Sequence, residues 1–138
     1  MSTGPGDATT DVLVVEDDAD LREVLADSLR LDGYGVAEAA DGMDALAILR
    51  GGARPAVIFL DLIMPRMDGR QFLAAFCEDA ALCAIPVVLV TGTPPRDLRD
   101  RVAAVLKKPI GVDELLGYTR RFVQRDAAQG GLARPSST

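Results

Sequence analysis

The chain contains no histidine and no tryptophan, only two cysteines, and aromatic residues at just 4%. Without histidine, Ser-His and Cys-His nucleophile pairs are excluded, and a zinc site would have to rely on carboxylates. Cys77 and Cys83 are too far apart for a Cys-x-x-Cys motif, so both are expected to be buried or half-buried thiols. No apolar run approaches the ~20 residues of a membrane-spanning helix, so no membrane association is expected. The start, Met1-Ser2-Thr3-Gly4-Pro5-Gly6, lacks the charged and apolar regions of a signal peptide, which makes a cytoplasmic location the expectation. Positive charge is in deficit too. Fifteen Lys and Arg stand against twenty-one Asp and Glu, with no basic stripe to neutralise phosphates, so direct binding of nucleic acid is not expected.

What the chain does have is aliphatic side chains. Its 138 residues are 49% hydrophobic, enough for one compact α/β domain. The run Val57-Ile58-Phe59-Leu60 is uninterrupted, short and rich in β-branched and aromatic residues, the pattern of a parallel strand buried on both faces. It ends on Asp61, and Pro65 and Gly69 make the next residues a loop. Val12-Leu13-Val14-Val15 is a second such run, ending on Glu16-Asp17-Asp18. Pro86 to Val90 ends on Thr91-Gly92, Val102 to Leu106 ends on Lys107-Lys108-Pro109, and Val36 to Ala39 makes a weaker strand.

Between these runs the apolar period lengthens to that of helices. Leu21, Val24, Leu25 and Leu29 place an amphipathic helix over 19–32, with Asp18 or Asp20 as N-cap; Leu46 and Leu49 face inward from a helix over 43–50. Phe72, Leu73, Phe76 and Cys77 share a face over about 70–80, and Val112, Leu115, Leu116, Phe122 and Val123 form the inner face of a last helix. In Thr93 to Arg101 two prolines and many charges surround a single apolar residue, Leu98, so a shortened, poorly anchored and mobile fourth helix is expected there. The polar start reads as a flexible leader over 1–10, the domain as 11–125, and the Gly/Ala/Ser/Pro-rich end as a disordered tail over 126–138.

Five strand–helix repeats with ordinary connections make a five-stranded parallel sheet with helices on both faces, the doubly wound, flavodoxin-like class. With strand order 2-1-3-4-5, the switch point lies between strands 1 and 3, whose ends carry Glu16, Asp17 and Asp61; strands 4 and 5 deliver Thr91 and Lys108 to the same rim. Three carboxylates on one rim repel one another and need a cation. A hard divalent ion such as Mg²⁺ takes oxygen ligands and keeps several waters, which suits carboxylates on separate strand ends plus the backbone carbonyl of Ile63. Beside such an ion Asp61 can attack phosphorus and form an aspartyl phosphate, while Lys108 meets one phosphate oxygen as a point charge and the Thr91 hydroxyl donates to another.

The segments Val14-Val15-Glu16-Asp17-Asp18, Leu60-Asp61-Leu62-Ile63-Met64-Pro65-Arg66-Met67-Asp68-Gly69, Val90-Thr91-Gly92 and Lys107-Lys108-Pro109 together resemble the receiver domain of two-component response regulators, over about residues 11 to 125. The resemblance implies that Asp61 is the phosphoacceptor for a sensor histidine kinase or histidine phosphotransfer protein. It also implies that Asp17 and Asp61 ligate Mg²⁺ directly, Glu16 through water and Ile63 through its carbonyl. Thr91 would then be the switch hydroxyl, and Lys108 the phosphate-pairing lysine, preceding a cis peptide to Pro109. Such a protein is a signalling phosphoacceptor that catalyses only its own phosphorylation and slow dephosphorylation. Residues two beyond Asp61 and Thr91 tune that loss in the family; apolar Ile63 and neutral Thr93 imply a long-lived phosphoryl group.

Two features depart from the pattern. Val105 stands where the family usually has a strand-5 aromatic, and only sixteen residues, 92–107, separate Thr91 from Lys108. The output surface between strands 4 and 5 is therefore expected to be remodelled, with phosphorylation ordering Thr91 to Arg101. A receiver-like module that docks a partner without being phosphorylated is the alternative. An aspartate-based phosphatase would want Asp-x-Asp where Asp61-Leu62-Ile63 stands, and a dinucleotide fold would want glycines after the first strand. The stretch beyond Asp126 is too short for an output domain, so the expectation is a stand-alone receiver, monomeric or dimerising on phosphorylation, that docks onto a downstream protein.

Overall fold

The computed structural model describes residues 10–130 apart from Pro94. Five parallel strands, β1 (Val12–Val15), β2 (Val36–Ala39), β3 (Val57–Asp61), β4 (Val87–Thr91) and β5 (Ala104–Lys107), form one sheet in the order β2-β1-β3-β4-β5. The helices are α1 (Ala19–Leu31), α2 (Gly42–Arg50), α3 (Gly69–Phe76), the four-residue α4 (Ala80–Cys83) and α5 (Val112–Gly130). None of them is long and apolar enough to cross a membrane.

The two-residue period of the strands divides the core. Leu13, Val15, Ile58, Leu60 and Leu89 face one way, onto Leu46 and Leu49 of α2 and Phe72 and Phe76 of α3. Val12, Val14, Val57, Phe59, Val88 and Val90 face the other way, onto Leu25 and Leu29 of α1 and Leu115 of α5. Because both faces are covered, the strands read as continuous apolar runs rather than alternating ones. Each fully buried Leu, Ile, Val or Phe contributes about 1.5–3 kcal/mol of apolar burial.

Three aspartates start helices close behind strands. Asp18 accepts from the amides of Asp20 and Leu21 and so is the cap of α1, Asp41 accepts from Asp44 at α2, and Asp68 forms a reciprocal capping box with Gln71 at α3. Each cap satisfies amides that the helix leaves unpaired, an effect of about 1 kcal/mol.

Several expectations need correction. Val24 and Val112 are exposed, on the outer edges of their helices. The helix placed over 70–80 is two elements, because Asp79 is extended (φ −107°, ψ 112°) and caps α4 instead of continuing α3. Cys77 and Cys83 go with that break to the surface, and both are exposed. The fifth strand begins at Ala104 rather than Val102. The shortened helix expected between β4 and β5 is present among the described residues as a single 3-10 turn, Arg99–Arg101. That segment is better anchored than its composition suggests, since Leu98 is 3% exposed within the core and the fork of Arg70 on α3 grips Asp97 at 2.5 and 3.0 Å. Helix α5 runs on to Gly130, past the expected tail start at 126. The leader at 1–9 and the remaining tail at 131–138 lie outside the described residues.

Candidate functional site

All the residues singled out on the rim meet at the carboxyl ends of the strands. Glu16 comes directly after β1 and is 3% exposed, Asp61 closes β3 at 6%, and Thr91 closes β4 at 2%, whereas Asp17 is exposed. Carboxylate oxygens of Glu16, Asp17 and Asp61 lie within 4.8 Å of one another. Lys108, one residue past β5 and joined to Pro109 by a cis peptide, reaches back across the rim. Its Nζ is 2.9 Å from Glu16 Oε1 and 3.3 Å from Asp61 Oδ2. Its amide donates to the Thr91 carbonyl at 2.9 Å, so the lysine is fixed at both ends.

The remaining hydrogen bonds fix orientation. The amide of Asp18 donates to Glu16 Oε2 at 3.1 Å, and Arg22 on α1 donates to the Glu16 carbonyl at 2.8 Å. The amide of Ile63 donates to Asp61 Oδ1 at 3.4 Å, while its side chain is 78% exposed in the loop after β3. Thr91 Oγ1 accepts from the amide of Thr93 at 3.3 Å, which ties the strand end to the segment beyond.

Burial raises the pKa of Glu16, and the charge of Asp61 adds to the rise against the opposing Lys108 and the Asp18 amide. Burial opposes the charge of Lys108 as well, but Glu16 and Asp61 outweigh it and hold the ammonium above its ordinary pKa. Three carboxylates and one ammonium leave two negative charges, the complement of one divalent cation. Exposed Asp17 has room to swing inward and share a cation with Glu16 and Asp61. The donor set fits Mg²⁺, with Glu16, Asp17 and Asp61 as the holders and the Ile63 carbonyl in the adjoining loop.

Sequence reasoning missed what supports that loop. Gly69 sits where a Cβ would lie 2.8 Å from both the Asp61 carbonyl oxygen and Leu62 Cα, and its amide donates to the Leu62 carbonyl at 2.8 Å. Arg66 adopts φ +62° and contacts Asp41 and Asp44 at the start of α2. Only the Gly69 requirement leaves a local trace; the partners of Arg66 lie more than twenty positions away.

Residues 12–120 match the model of the response regulator receiver domain. A response regulator MprA from Mycobacterium sp. (strain KMS) is 32% identical over 134 residues, covering 92% of this chain and 56% of the relative. MprA from Mycobacterium bovis (strain BCG / Pasteur 1173P2) is 33% identical, covering 89% and 56%. The chain thus spans about half the length of the curated relatives it matches. Among solved structures, the chemotaxis protein CheY4 of Vibrio cholerae superimposes with a TM-score of 0.74 at 30% identity, covering 83% of this chain and 99% of that one. A CheY-like receiver domain protein from Methanospirillum hungatei gives 0.75 at 27% identity, covering 87% and 98%.

Proposed function

The chain belongs to the receiver-domain family of response regulators, and from that premise we propose that Asp61 takes a phosphoryl group from the phosphohistidine of a sensor histidine kinase or histidine phosphotransfer protein, in a Mg²⁺-dependent reaction. The observation that carries this reading is the convergence of Glu16, Asp17 and Asp61 within 4.8 Å, with the Lys108 ammonium bridging two of them. A carboxylate oxygen of Asp61 forms the new O–P bond as the donor's N–P bond breaks, and the imidazole leaves with the bonding electron pair and takes up a proton. Glu16, Asp17, Asp61 and the Ile63 carbonyl would hold Mg²⁺, which would supply positive charge to the phosphoryl oxygens. Lys108 exchanges its contact with Asp61 for one of those oxygens, while the Glu16 carboxylate that it still faces keeps it charged.

The output step begins at Thr91. Its hydroxyl now accepts from the Thr93 amide. An aspartyl phosphate draws both groups towards its own oxygens, ending that contact and pulling on the segment anchored by Leu98. The strand-5 aromatic that would move with Thr91 is replaced by Val105, so the signal leaves through this segment. The protein turns over no substrate other than its own phosphoryl group, and it works in the cytoplasm beside its phosphodonor. Exposed, apolar Ile63 and neutral Thr93 give little help to an attacking water, which favours a long-lived phosphoryl group.

The test is transfer of labelled phosphate from a phosphorylated histidine phosphotransfer protein, with Mg²⁺ or with excess chelator. Label on the wild type in Mg²⁺ alone, in an alkali-labile linkage, is the expected result. Absence of label with every donor tried, alongside intact Mg²⁺ binding, would favour a module that docks without being phosphorylated.

A further inference from the structure

Arg66 occupies the left-handed region without the glycine that region favours, at φ +62° in the loop between β3 and α3. A non-glycine residue there is strained and persists only where surrounding contacts hold it. Such contacts are present. Arg66 Nε donates to Asp41 Oδ2 at 2.5 Å, and its Nη2 donates to Asp44 Oδ1 at 3.2 Å. Asp41 is 2% exposed, and its other oxygen, Oδ1, caps α2 by accepting from the Asp44 amide at 2.9 Å. One residue on, the Met67 carbonyl accepts from the Gly42 amide at 3.0 Å. Gly42 is there because a Cβ would lie 2.7 Å from Met67 Cγ and 2.9 Å from the Met67 carbonyl oxygen.

The loop is therefore fastened to the first turn of α2 at two successive residues, and its near end carries Asp61 and Ile63. We propose that Arg66, clamped by Asp41 and Asp44, is a positioning residue that sets the loop so that the Ile63 carbonyl and Asp61 present together to a divalent cation. This rests on the Mg²⁺-dependent phosphoacceptor reading of the rim. Arg66 carries no ligand atom itself; it acts through the backbone of residues 62–65. A planar fork anchored on a buried carboxylate transmits a fixed geometry, whereas a lysine would supply only a point charge.

The test is the dissociation constant for Mg²⁺ alone, measured calorimetrically on wild type, Arg66→Ala, Arg66→Lys, Asp41→Asn and the Arg66→Ala/Asp41→Asn double variant. Asn caps a helix as well as Asp does, so Asp41→Asn isolates the clamp from the cap. The expected result is Mg²⁺ binding weakened about tenfold in Arg66→Ala, the lower end of what losing an orienting partner costs a metal site. Arg66→Lys should recover only part of that loss, and the double variant should be no worse than Arg66→Ala. Arg66 lies half exposed at the surface, so Arg66→Lys serves if Arg66→Ala unfolds. Wild-type affinity in Arg66→Lys, or additive losses in the double variant, would overturn the clamp while leaving the rim intact. Failure of the wild type to bind Mg²⁺ would instead overturn the rim reading and the clamp together.

Discussion

The two sides of the rim are built to different standards. On the β1–β3 side, Glu16 and Asp61 are buried, each is oriented by a backbone amide, and the loop after β3 closes against Gly69 with no room for a methyl group. On the β4–β5 side, the chain returns through a 3-10 turn whose buried apolar anchor is Leu98, with half-buried Val102 and the exposed Arg70–Asp97 ion pair beside it. Lys108 belongs to the second side in sequence and to the first in contacts. On the proposed phosphoacceptor reading, the difference divides the tasks: charge and orientation for phosphoryl transfer are fixed on the rigid side, and the conformational change falls on the side with less to hold it.

Removing the ammonium that reaches from one side onto the buried carboxylates of the other should have the largest effect. Lys108→Ala should slow phosphoryl uptake about a hundredfold, the scale of losing one preorganised stabilising group. Mg²⁺ affinity, measured separately, should not fall, because three carboxylates are then left without a competing ammonium. Weaker Mg²⁺ binding in that variant would mean that the lysine organises the metal site and not the phosphoryl oxygens.

Gly69→Ala attacks the rigid side directly. A methyl group meeting backbone at 2.8 Å on two sides cannot be accommodated by a side-chain rotation, and overpacking of this kind costs about 1–3 kcal/mol. Urea unfolding should register that loss, and phosphoryl uptake should fall with it. Leu98→Ala attacks the looser side. It should cost about 2 kcal/mol, the low end for a buried leucine, yet leave the rate of phosphoryl uptake unchanged. Equal damage to uptake from both variants would erase the distinction between the two sides.

The smallest effect concerns acid stability. Burial works against the charge of Asp41, but hydrogen bonds from Arg66 and the Asp44 amide outweigh it and hold its pKa below the ordinary carboxylate value. A depressed folded-state pKa contributes stability that is present above the unfolded pKa, near 3.8, and is lost as pH falls through the folded value. Stability of the wild type should therefore drop more steeply below about pH 4 than that of Asp41→Asn, when both are tracked by urea unfolding across pH.

The same division marks what could be read from the residues in order. Strand runs that stop abruptly on Asp61, Glu16 and Thr91 carry both fold and site, because a parallel sheet forces every strand end to one rim. The turn at Asp79 is less legible. A helix period continues through Phe76 and Cys77, and only the capping geometry of Asp79 shows that the chain restarts there and leaves both cysteines exposed. Leu98 alone among charges suggests a loose segment; its burial depends on core residues distant in sequence. Arg66 inside the loop after Asp61 looks like a solvated surface charge until Asp41, twenty-five positions earlier, is placed beside it.

The claim on which the rest depends is that Asp61 accepts a phosphoryl group with the help of this rim. Intact mass after incubation with Mg²⁺ and a small-molecule acyl phosphate tests it most directly, with Asp61→Asn alongside. One added phosphoryl group on the wild type and none on Asp61→Asn is the predicted result. Equal addition to both would place the phosphate on another residue and contradict the account.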